Sequence, residues 1–187
     1  MPPKVRITRE EIVRTAVEIV RRDGAGCLNA REIAQKLNCS TQPVFSNFKT
    51  MEELRNAVLV AADALYQEYI TREIAAGQYP TYKAAGMGYI RFAKEEKELF
   101  RLLFMRDRSA EGEQPQTEGT RKIADIVRAS TGFGEDKAML FHLEMWAYVH
   151  GIAVMTATDY LELEPTLISD MLTDAYLGIK MRYEAKE

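Results

Sequence analysis

The sequence predicts an all-α fold, with an N-terminal three-helix domain followed by a C-terminal helical bundle. Helix-start residues precede each apolar stretch, apolar residues recur at helical spacing, and no stretch alternates apolar and polar residues as strands do. At 187 residues and 47% hydrophobic content, the chain can bury one sizeable core, or a small module joined to a larger one.

Charge is distributed unevenly along the chain. Residues 1–50 contain nine Lys/Arg and five Asp/Glu, a balance of +4, whereas the remainder carries −7. A basic end on an acidic body is typical of a polyanion-binding module joined to a domain that keeps the protein in solution. We therefore predict two domains, residues 1–50 and 51–187.

The N-terminus has no uninterrupted apolar segment, because charged residues between Arg6 and Glu11 break it. No apolar run approaches the roughly 20 residues that span a bilayer. These features predict a cytoplasmic protein with no membrane partner. Cys27 and Cys39 fit no metal-ligand or redox spacing, and we expect them to be small buried thiols.

Capping signals mark the first two helices. Thr8 and Glu11 form a capping box ahead of an apolar stripe, and Gly24 ends the first helix. Asn29 and Glu32 supply the start of a second helix, which ends near residue 37.

The next segment predicts a helix-turn-helix. Asn38 and Cys39 form the turn, Ser40 can cap a third helix, and Pro43 is tolerated in its first turn. The second helix of such a motif can enter the major groove of DNA, although the same shape also occurs as a plain packing unit. With the leading arm, the residues assigned to DNA are Lys4, Arg6, Arg31, Ser40, Thr41, Gln42, Phe45, Ser46, Asn47 and Lys49.

The chain beyond residue 50 reads as further helices. Thr50 and Glu53 offer a third capping pair before a long helix that ends near Gly77. The pattern then predicts helical regions over Tyr82–Met105, Thr120–Ala129, Asp136–Leu161 and Pro165–Tyr183, with a polar loop over Arg106–Gly119.

The last two helices predict a dimer face. Residues 136–161 are apolar on most sides of a helix, and such a helix needs cover on most sides. Together with the final helix they can form a two-fold, four-helix interface between two copies. The residues assigned to this interface are Leu143, Val149, Ile152, Leu167, Met171, Leu172, Ala175 and Ile179.

The C-terminal domain also supplies candidates for a ligand pocket, in which apolar walls carry a few polar groups. They are Met87, Tyr89, Phe92, Phe104, Met105, Phe141, His142, Met145 and Trp146. Ordinary core packing explains the same pattern equally well. His142 and His150 have no Cys or well-placed carboxylate beside them, so we predict neither a metal site nor a cofactor.

The segment EIAQKLNCSTQPVFSNFKTMEEL, preceded by the first helix, resembles the DNA-binding domain of the TetR family of transcriptional regulators. The likeness covers roughly residues 8–55. Trp146 and His150-Gly151 are similar to a Trp-His-Gly signature in one class of TetR C-terminal domains. The resemblance implies a homodimeric, ligand-responsive repressor of double-stranded DNA, which binds a pseudo-palindromic operator and is released by a small, largely apolar effector.

Three positions depart from the family pattern. The family usually has Tyr where this chain has Phe45, and the Tyr hydroxyl commonly contacts a phosphate. It often has Lys at Met51 and Thr at Pro43. A ligand-sensing module with reduced DNA affinity is therefore an alternative. An enzyme is a weaker one, because the chain has no nucleophile elbow, no zinc-protease motif and no phosphate-binding glycine loop.

Overall fold

The computed structural model describes residues 7–109 and 118–185, and it includes all side chains in these ranges except those of residues 118–122 and 124. The described residues form α-helices and one short 3₁₀ turn, without strands, which confirms the all-α prediction. The helices are α1 Arg9–Asp23, α2 Ala30–Lys36, α3 Gln42–Asn47, α4 Met51–Ala75, α5 Thr81–Glu95, α6 Lys97–Phe104, α7 Glu118–Thr131, α8 Glu135–Ala157 and α9 Pro165–Glu184.

The chain divides into two compact units. Unit 1 comprises Met1–Tyr66 and Glu96–Arg106, and unit 2 comprises Gln67–Glu95 and Asp107–Glu187. The first part of α4 and the whole of α6 therefore pack with the N-terminal helices. The domain boundary predicted at residue 50 falls inside unit 1.

Helix α1 begins and ends where its sequence signals lie. The Thr8 hydroxyl accepts a hydrogen bond from the Glu11 amide at 3.2 Å, and the Thr8 amide donates to the Glu11 carboxylate at 2.8 Å. Gly24 follows the helix with φ of 84°, a conformation that favours glycine. A Cβ atom there would also lie 3.0 Å from a Glu98 carboxylate oxygen of α6, so α6 lies close to the end of α1.

The predicted helical region over residues 82–105 is broken at Glu96, which has non-helical backbone angles. Its carboxylate is buried and receives two hydrogen bonds from the Arg21 guanidinium, one of them at 2.5 Å. An ion pair removes part of the cost of burying the charge. The ion pair between Arg21 and Glu96 therefore connects α1 to the start of α6 within unit 1.

The turn before α3 differs from the prediction. The α3 helix begins at Gln42 after Thr41, so the predicted cap at Ser40 is wrong, and Thr41 makes no capping hydrogen bond with its side chain. Asn38 adopts φ of 49°, which asparagine tolerates better than most residues. The expectation of two buried thiols is also wrong, because Cys27 is exposed and Cys39 is half-buried.

Helix α8 is the central element of unit 2, where it packs against α5, α7 and α9. Its inward residues Phe141 and Met145 join a core cluster with Val127, Phe133 and Tyr183. The contacts with these three helices bury one side of α8 within the chain itself.

By length and composition alone, α8 could span a membrane, and it is the one helix of the described ranges that could. The sequence prediction that no segment reaches this threshold is therefore wrong for α8. Of the apolar stretch that meets this criterion, 33% is buried within the chain, where α8 packs against α5, α7 and α9.

Candidate functional site

Helix α3 presents one side to the core of unit 1 and the other to solvent. Val44 and Phe48 are 0% and 1% exposed, and they anchor the helix. Gln42, Phe45 and Ser46 are exposed on the opposite side. The core of unit 1 therefore fixes the inner side of α3, and the outward side chains are accessible to another molecule.

Arg9 of α1 holds the end of α3 in place. Its guanidinium donates to the Asn47 carbonyl oxygen at 2.7 Å and to the Glu53 carboxylate at 3.0 Å. The guanidinium carbon also lies 4.0 Å from the centre of the Phe48 ring, a cation–π contact. No local sequence pattern indicates a role for Arg9, because its contacts join residues far apart in the chain.

Glu53 completes this arrangement at the start of α4. Its carboxylate accepts from the Lys49 amide at 2.8 Å, while the Thr50 hydroxyl accepts from the Glu53 amide at 3.1 Å, which confirms the third capping pair. The hydrogen bond from the Lys49 amide, followed by that from Arg9, lowers the pKa of Glu53. The junction between α3 and α4 is thus fixed by a charged carboxylate.

Two of the polar side chains predicted to read DNA turn back onto their own helix. The Ser46 hydroxyl donates to the Gln42 carbonyl oxygen at 2.8 Å, and the Asn47 amide nitrogen donates to the Pro43 carbonyl oxygen at 2.8 Å. Ser46 and Asn47 therefore have fewer donors left for base edges than the sequence implies.

The other DNA candidates are arranged around α3. Arg31, Thr41 and Phe45 line one open depression with Asn29 and Met51. Ser40 and Lys49 are exposed before and after α3. Lys4 and Arg6 lie outside the described residues.

The ligand-pocket candidates fall into both units. Met87, Tyr89, Phe92, Phe141 and Met145 are buried in unit 2. His142 and Trp146 also belong to unit 2, whereas Phe104 and Met105 belong to unit 1. There the Phe104 ring packs edge-on against Tyr66, with their centroids 5.3 Å apart, and Met105 is exposed.

Both histidines pair with tyrosines of α5. The hydroxyl of Tyr82 lies 3.0 Å from Nδ1 of His142, and the hydroxyl of Tyr89 lies 2.8 Å from Nδ1 of His150. Burial raises the pKa of Tyr82 and lowers the pKa values of His142 and His150. The lowered pKa values keep both imidazoles neutral at neutral pH, and each shares one hydrogen bond with a tyrosine hydroxyl at Nδ1, with its direction set by the tautomer.

Trp146 extends the second of these pairs. Its indole stacks on the His150 ring with a centroid distance of 4.9 Å and an interplanar angle of 14°. Tyr89, His150 and Trp146 thus form a continuous aromatic row from the interior of unit 2 to a half-exposed indole. Across the described ranges, no three His, Cys, Asp or Glu residues gather as metal ligands.

The residues of the predicted dimer face differ in burial within the single chain. Val149, Ile152 and Leu172 are 9%, 2% and 3% exposed, so the chain itself covers most of their surface and leaves little for a second copy to bury. Ala175 and Ile179 pack partly against the core cluster of unit 2. Leu143 and Leu167 are exposed, and Met171 is partly exposed.

Other apolar residues are exposed that the sequence prediction missed. Leu140 lies beside Leu143 on the outward side of α8, and Leu177 and Met181 lie on α9. Arg182 of α9 donates to Glu144 of α8 at 2.6 Å, so the two helices lie side by side. In the sequence, the spacing of three and four residues between Leu140, Leu143 and Ala147 indicates a shared side of α8. It does not show that this side is exposed, because α8 has apolar residues on its other sides as well.

A family model described as the C-terminal domain of tetracyclin repressor-like proteins matches residues 82–176. No curated protein sequence gives a significant match.

Several solved structures share the fold. A TetR-like transcriptional regulator from Rhodococcus sp. RHA1 is 17% identical, with 100% of both chains covered and a TM-score of 0.66. A TetR variant from Acinetobacter baumannii AYE, in complex with minocycline, is 18% identical over 94% of this chain and 97% of that one, with a TM-score of 0.62. The multidrug binding protein EbrR, complexed with imidazole, is 15% identical over 89% of this chain and 88% of that one, with a TM-score of 0.57.

At these identities the structural likeness concerns the fold. The family model covers half of the chain and includes nearly all of α5, the whole of α6, α7 and α8, and more than half of α9. The N-terminal helices supply the helix-turn-helix whose sequence resembles the same family. The chain belongs to the TetR family of transcriptional regulators.

Proposed function

We propose that the protein represses transcription as a homodimer that binds a pseudo-palindromic operator in the cytoplasm and releases it when a small, largely apolar effector binds unit 2. The observation that carries the proposal is the outward side of α3, which unit 1 holds rigidly through Val44, Phe48 and Arg9. A short helix anchored in this way can lie in the major groove and present side chains to base edges.

Phosphate contacts come from basic side chains around α3. Arg31 and Lys49 are exposed on either side of it. Each Lys or Arg that neutralises a phosphate releases counterions and adds to the salt dependence of binding. Phosphate contacts position the protein, and base contacts by Gln42 and Thr41 select the sequence.

A shift assay with the DNA upstream of the protein's own gene tests DNA binding. We expect sequence-preferring binding whose affinity falls steeply with salt. Lys49→Ala is expected to weaken binding to all sequences and reduce the salt slope by about 1, whereas Gln42→Ala is expected to relax sequence preference. Lys94→Ala, an exposed lysine of unit 2, is the matched control. Binding without sequence preference would favour a ligand sensor over a repressor, and substrate turnover would favour an enzyme.

Dimerisation is proposed through the exposed apolar residues of α8 and α9. Leu143 and Leu177 are 56% and 53% exposed in the single chain, and a second copy would bury them. Leu143→Glu should produce a monomer in sedimentation analysis. Val60→Glu, which replaces an exposed valine of α4, should leave the dimer intact. A dimeric Leu143→Glu protein would refute this interface.

Two recognition helices related by a two-fold axis meet major grooves about 34–36 Å apart. The dimer should therefore protect two half-sites in a footprint. A single asymmetric half-site would contradict the proposed dimeric binding mode.

The effector is proposed to bind among the aromatic residues of unit 2. Because Met87, Phe92 and Phe141 are almost fully buried, an effector that reaches them must displace packed side chains. Such a ligand prefers a rearranged state, and α4 is the helix that contributes residues to both units. If effector binding weakens DNA binding, operator DNA must weaken effector binding by the same factor.

Trp146 is the only tryptophan of the chain, and its stacking on His150 makes it a direct reporter. Titration of minocycline, imidazole and apolar aromatic compounds should change its fluorescence for at least one compound. The dissociation constant of that compound should rise when operator DNA is present. Equal constants with and without operator would exclude the proposed release mechanism.

A further inference from the structure

Phe45 is a large apolar residue on the outward side of α3. Its side chain is 53% exposed, whereas the neighbouring anchors Val44 and Phe48 are buried. Helical spacing places Phe45 on the same side as Gln42 and Ser46. Core packing therefore does not account for its position.

The polar residues beside Phe45 have partly used their hydrogen-bonding capacity. Ser46 donates its hydroxyl proton to the Gln42 carbonyl oxygen, and Asn47 donates to the Pro43 carbonyl oxygen, each at 2.8 Å. The Gln42 side chain makes no hydrogen bond within the described ranges. The outward side of α3 consequently offers one free amide and one phenyl ring.

Each of these groups has a counterpart in the major groove. A phenyl ring has no donor for a phosphate, and the C5-methyl of thymine is the apolar group that base edges present there. A glutamine amide can bond N6 and N7 of adenine. We propose that Phe45 selects a thymine in each half-site by contact with its C5-methyl group, an inference that rests on the proposed DNA binding.

The surroundings of Phe45 suit this contact. Arg31, Glu32 and Phe45 line the same open depression, between the start of α2 and α3. A phosphate held by the Arg31 guanidinium would fix the DNA backbone next to the ring. The charged side chain supplies affinity without regard to sequence, and the ring supplies the preference for thymine.

The test uses the full-length protein and a half-site selected from randomised duplex DNA. Each thymine of the selected site is replaced by deoxyuridine, which lacks only the methyl group. At one thymine in each half-site we expect uracil to weaken binding about fourfold, the value for one buried methylene-sized group. Replacements at the other thymines should have little effect.

Three variants assign the effect to the ring. Phe45→Ala should bind thymine and uracil sites equally, because the contacting group is gone. Phe45→Tyr should keep the fourfold preference, since its ring is retained. Tyr160→Ala, which removes a 76% exposed aromatic ring from unit 2, should bind as the unchanged protein does. Thermal melts of each variant confirm that it is folded.

The outcomes separate this inference from the proposed function. Sequence-preferring binding with equal affinity for thymine and uracil sites overturns the thymine contact alone. A thymine preference that persists in Phe45→Ala also overturns it. Failure of the unchanged protein to prefer any DNA sequence overturns the proposed function, and the thymine contact with it.

Discussion

Unit 1 and unit 2 place their candidate functional residues in opposite environments. In unit 1 the short α3 helix is anchored by Val44 and Phe48, and its candidate contact residues are exposed. In unit 2 the candidate ligand residues Met87, Phe92 and Phe141 are buried among other side chains. A rigid, exposed element suits a reader of DNA, whereas a buried aromatic cluster suits a sensor that must rearrange to bind.

This contrast means that the same kind of substitution should have different consequences in the two units. An exposed side chain of unit 1 contributes little to folding, so its removal should affect binding alone. A buried side chain of unit 2 contributes to folding first. The following substitutions test that division.

The largest expected effect comes from Phe141→Ala. Phe141 is fully buried, and its ring contacts those of Phe133, Tyr176 and Tyr183. Removing a buried phenylalanine costs about 3–5 kcal/mol of unfolding free energy. Denaturation followed by Trp146 fluorescence reports this loss in unit 2.

Phe45→Ala is the matched control, because it deletes the same side chain from an exposed site. We expect its unfolding free energy to change by less than about 0.5 kcal/mol. Equal destabilisation by the two variants would remove the distinction between the units.

The next effect comes from Gly88→Ala in α5. A Cβ at Gly88 would lie 3.1 Å from both the Ile70 Cα and the Tyr69 carbonyl oxygen, and the α4 backbone cannot move aside easily. Overpacking of this kind costs about 1–3 kcal/mol, most of which range lies above the gain of about 1 kcal/mol in helix propensity.

Gly86→Ala provides the comparison within the same helix. There a Cβ would lie 3.4 Å from the Leu172 side chain, an ordinary contact. Thermal denaturation should show Gly88→Ala melting below the unchanged protein and Gly86→Ala at or above it. Equal melting temperatures for the two variants would show that the packing of α4 against α5 leaves room for a methyl group at residue 88.

The two units also differ in how much of their structure could be predicted from the sequence. In unit 1, local signals such as Thr8 with Glu11 and Thr50 with Glu53 act over three residues, so they specify helix starts directly. The contacts of Arg9 with Asn47 and Glu53 span 38 and 44 residues, and no local pattern encodes them.

In unit 2, helix positions were predictable but helix faces were not. Helix α8 has apolar residues all round, so the sequence did not distinguish Val149 and Ile152, which the chain buries, from Leu140 and Leu143, which it exposes. The pairing of His142 and His150 with tyrosines of α5 likewise depends on how two helices pack.

A smaller effect is expected from Arg9→Ala in unit 1. It removes hydrogen bonds to Asn47 and Glu53 and the cation–π contact with Phe48. Because the Arg9 side chain is 44% exposed, we expect a loss of only about 1 kcal/mol of stability. DNA affinity should fall more than stability does, since the end of α3 is released.

Arg14→Ala is the control on the same helix, because Arg14 is exposed and forms no ion pair within the described ranges. Shift assays and melts should show it close to the unchanged protein. Arg9→Lys should fall between, because an ammonium cannot reproduce the planar contacts of the guanidinium. Unchanged DNA affinity in Arg9→Ala would show that the position of α3 does not depend on Arg9.

The smallest effect concerns acid. Burial lowers the pKa values of His142 and His150 in the folded chain, so the unfolded chain binds more protons as the pH falls below about 6.5. The free energy of unfolding should therefore decrease as the pH falls from 7.5 to 5.5. A protonated imidazole carries a donor on both ring nitrogens, so the hydroxyls of Tyr82 and Tyr89 could then only accept at Nδ1. Melts of the untagged protein across this range should show the decline, and His142→Gln with His150→Gln should flatten it, because these are the chain's only histidines. A decline of equal size in the double variant would assign the pH dependence to the carboxylates and leave the tyrosine–histidine pairs without a part in it.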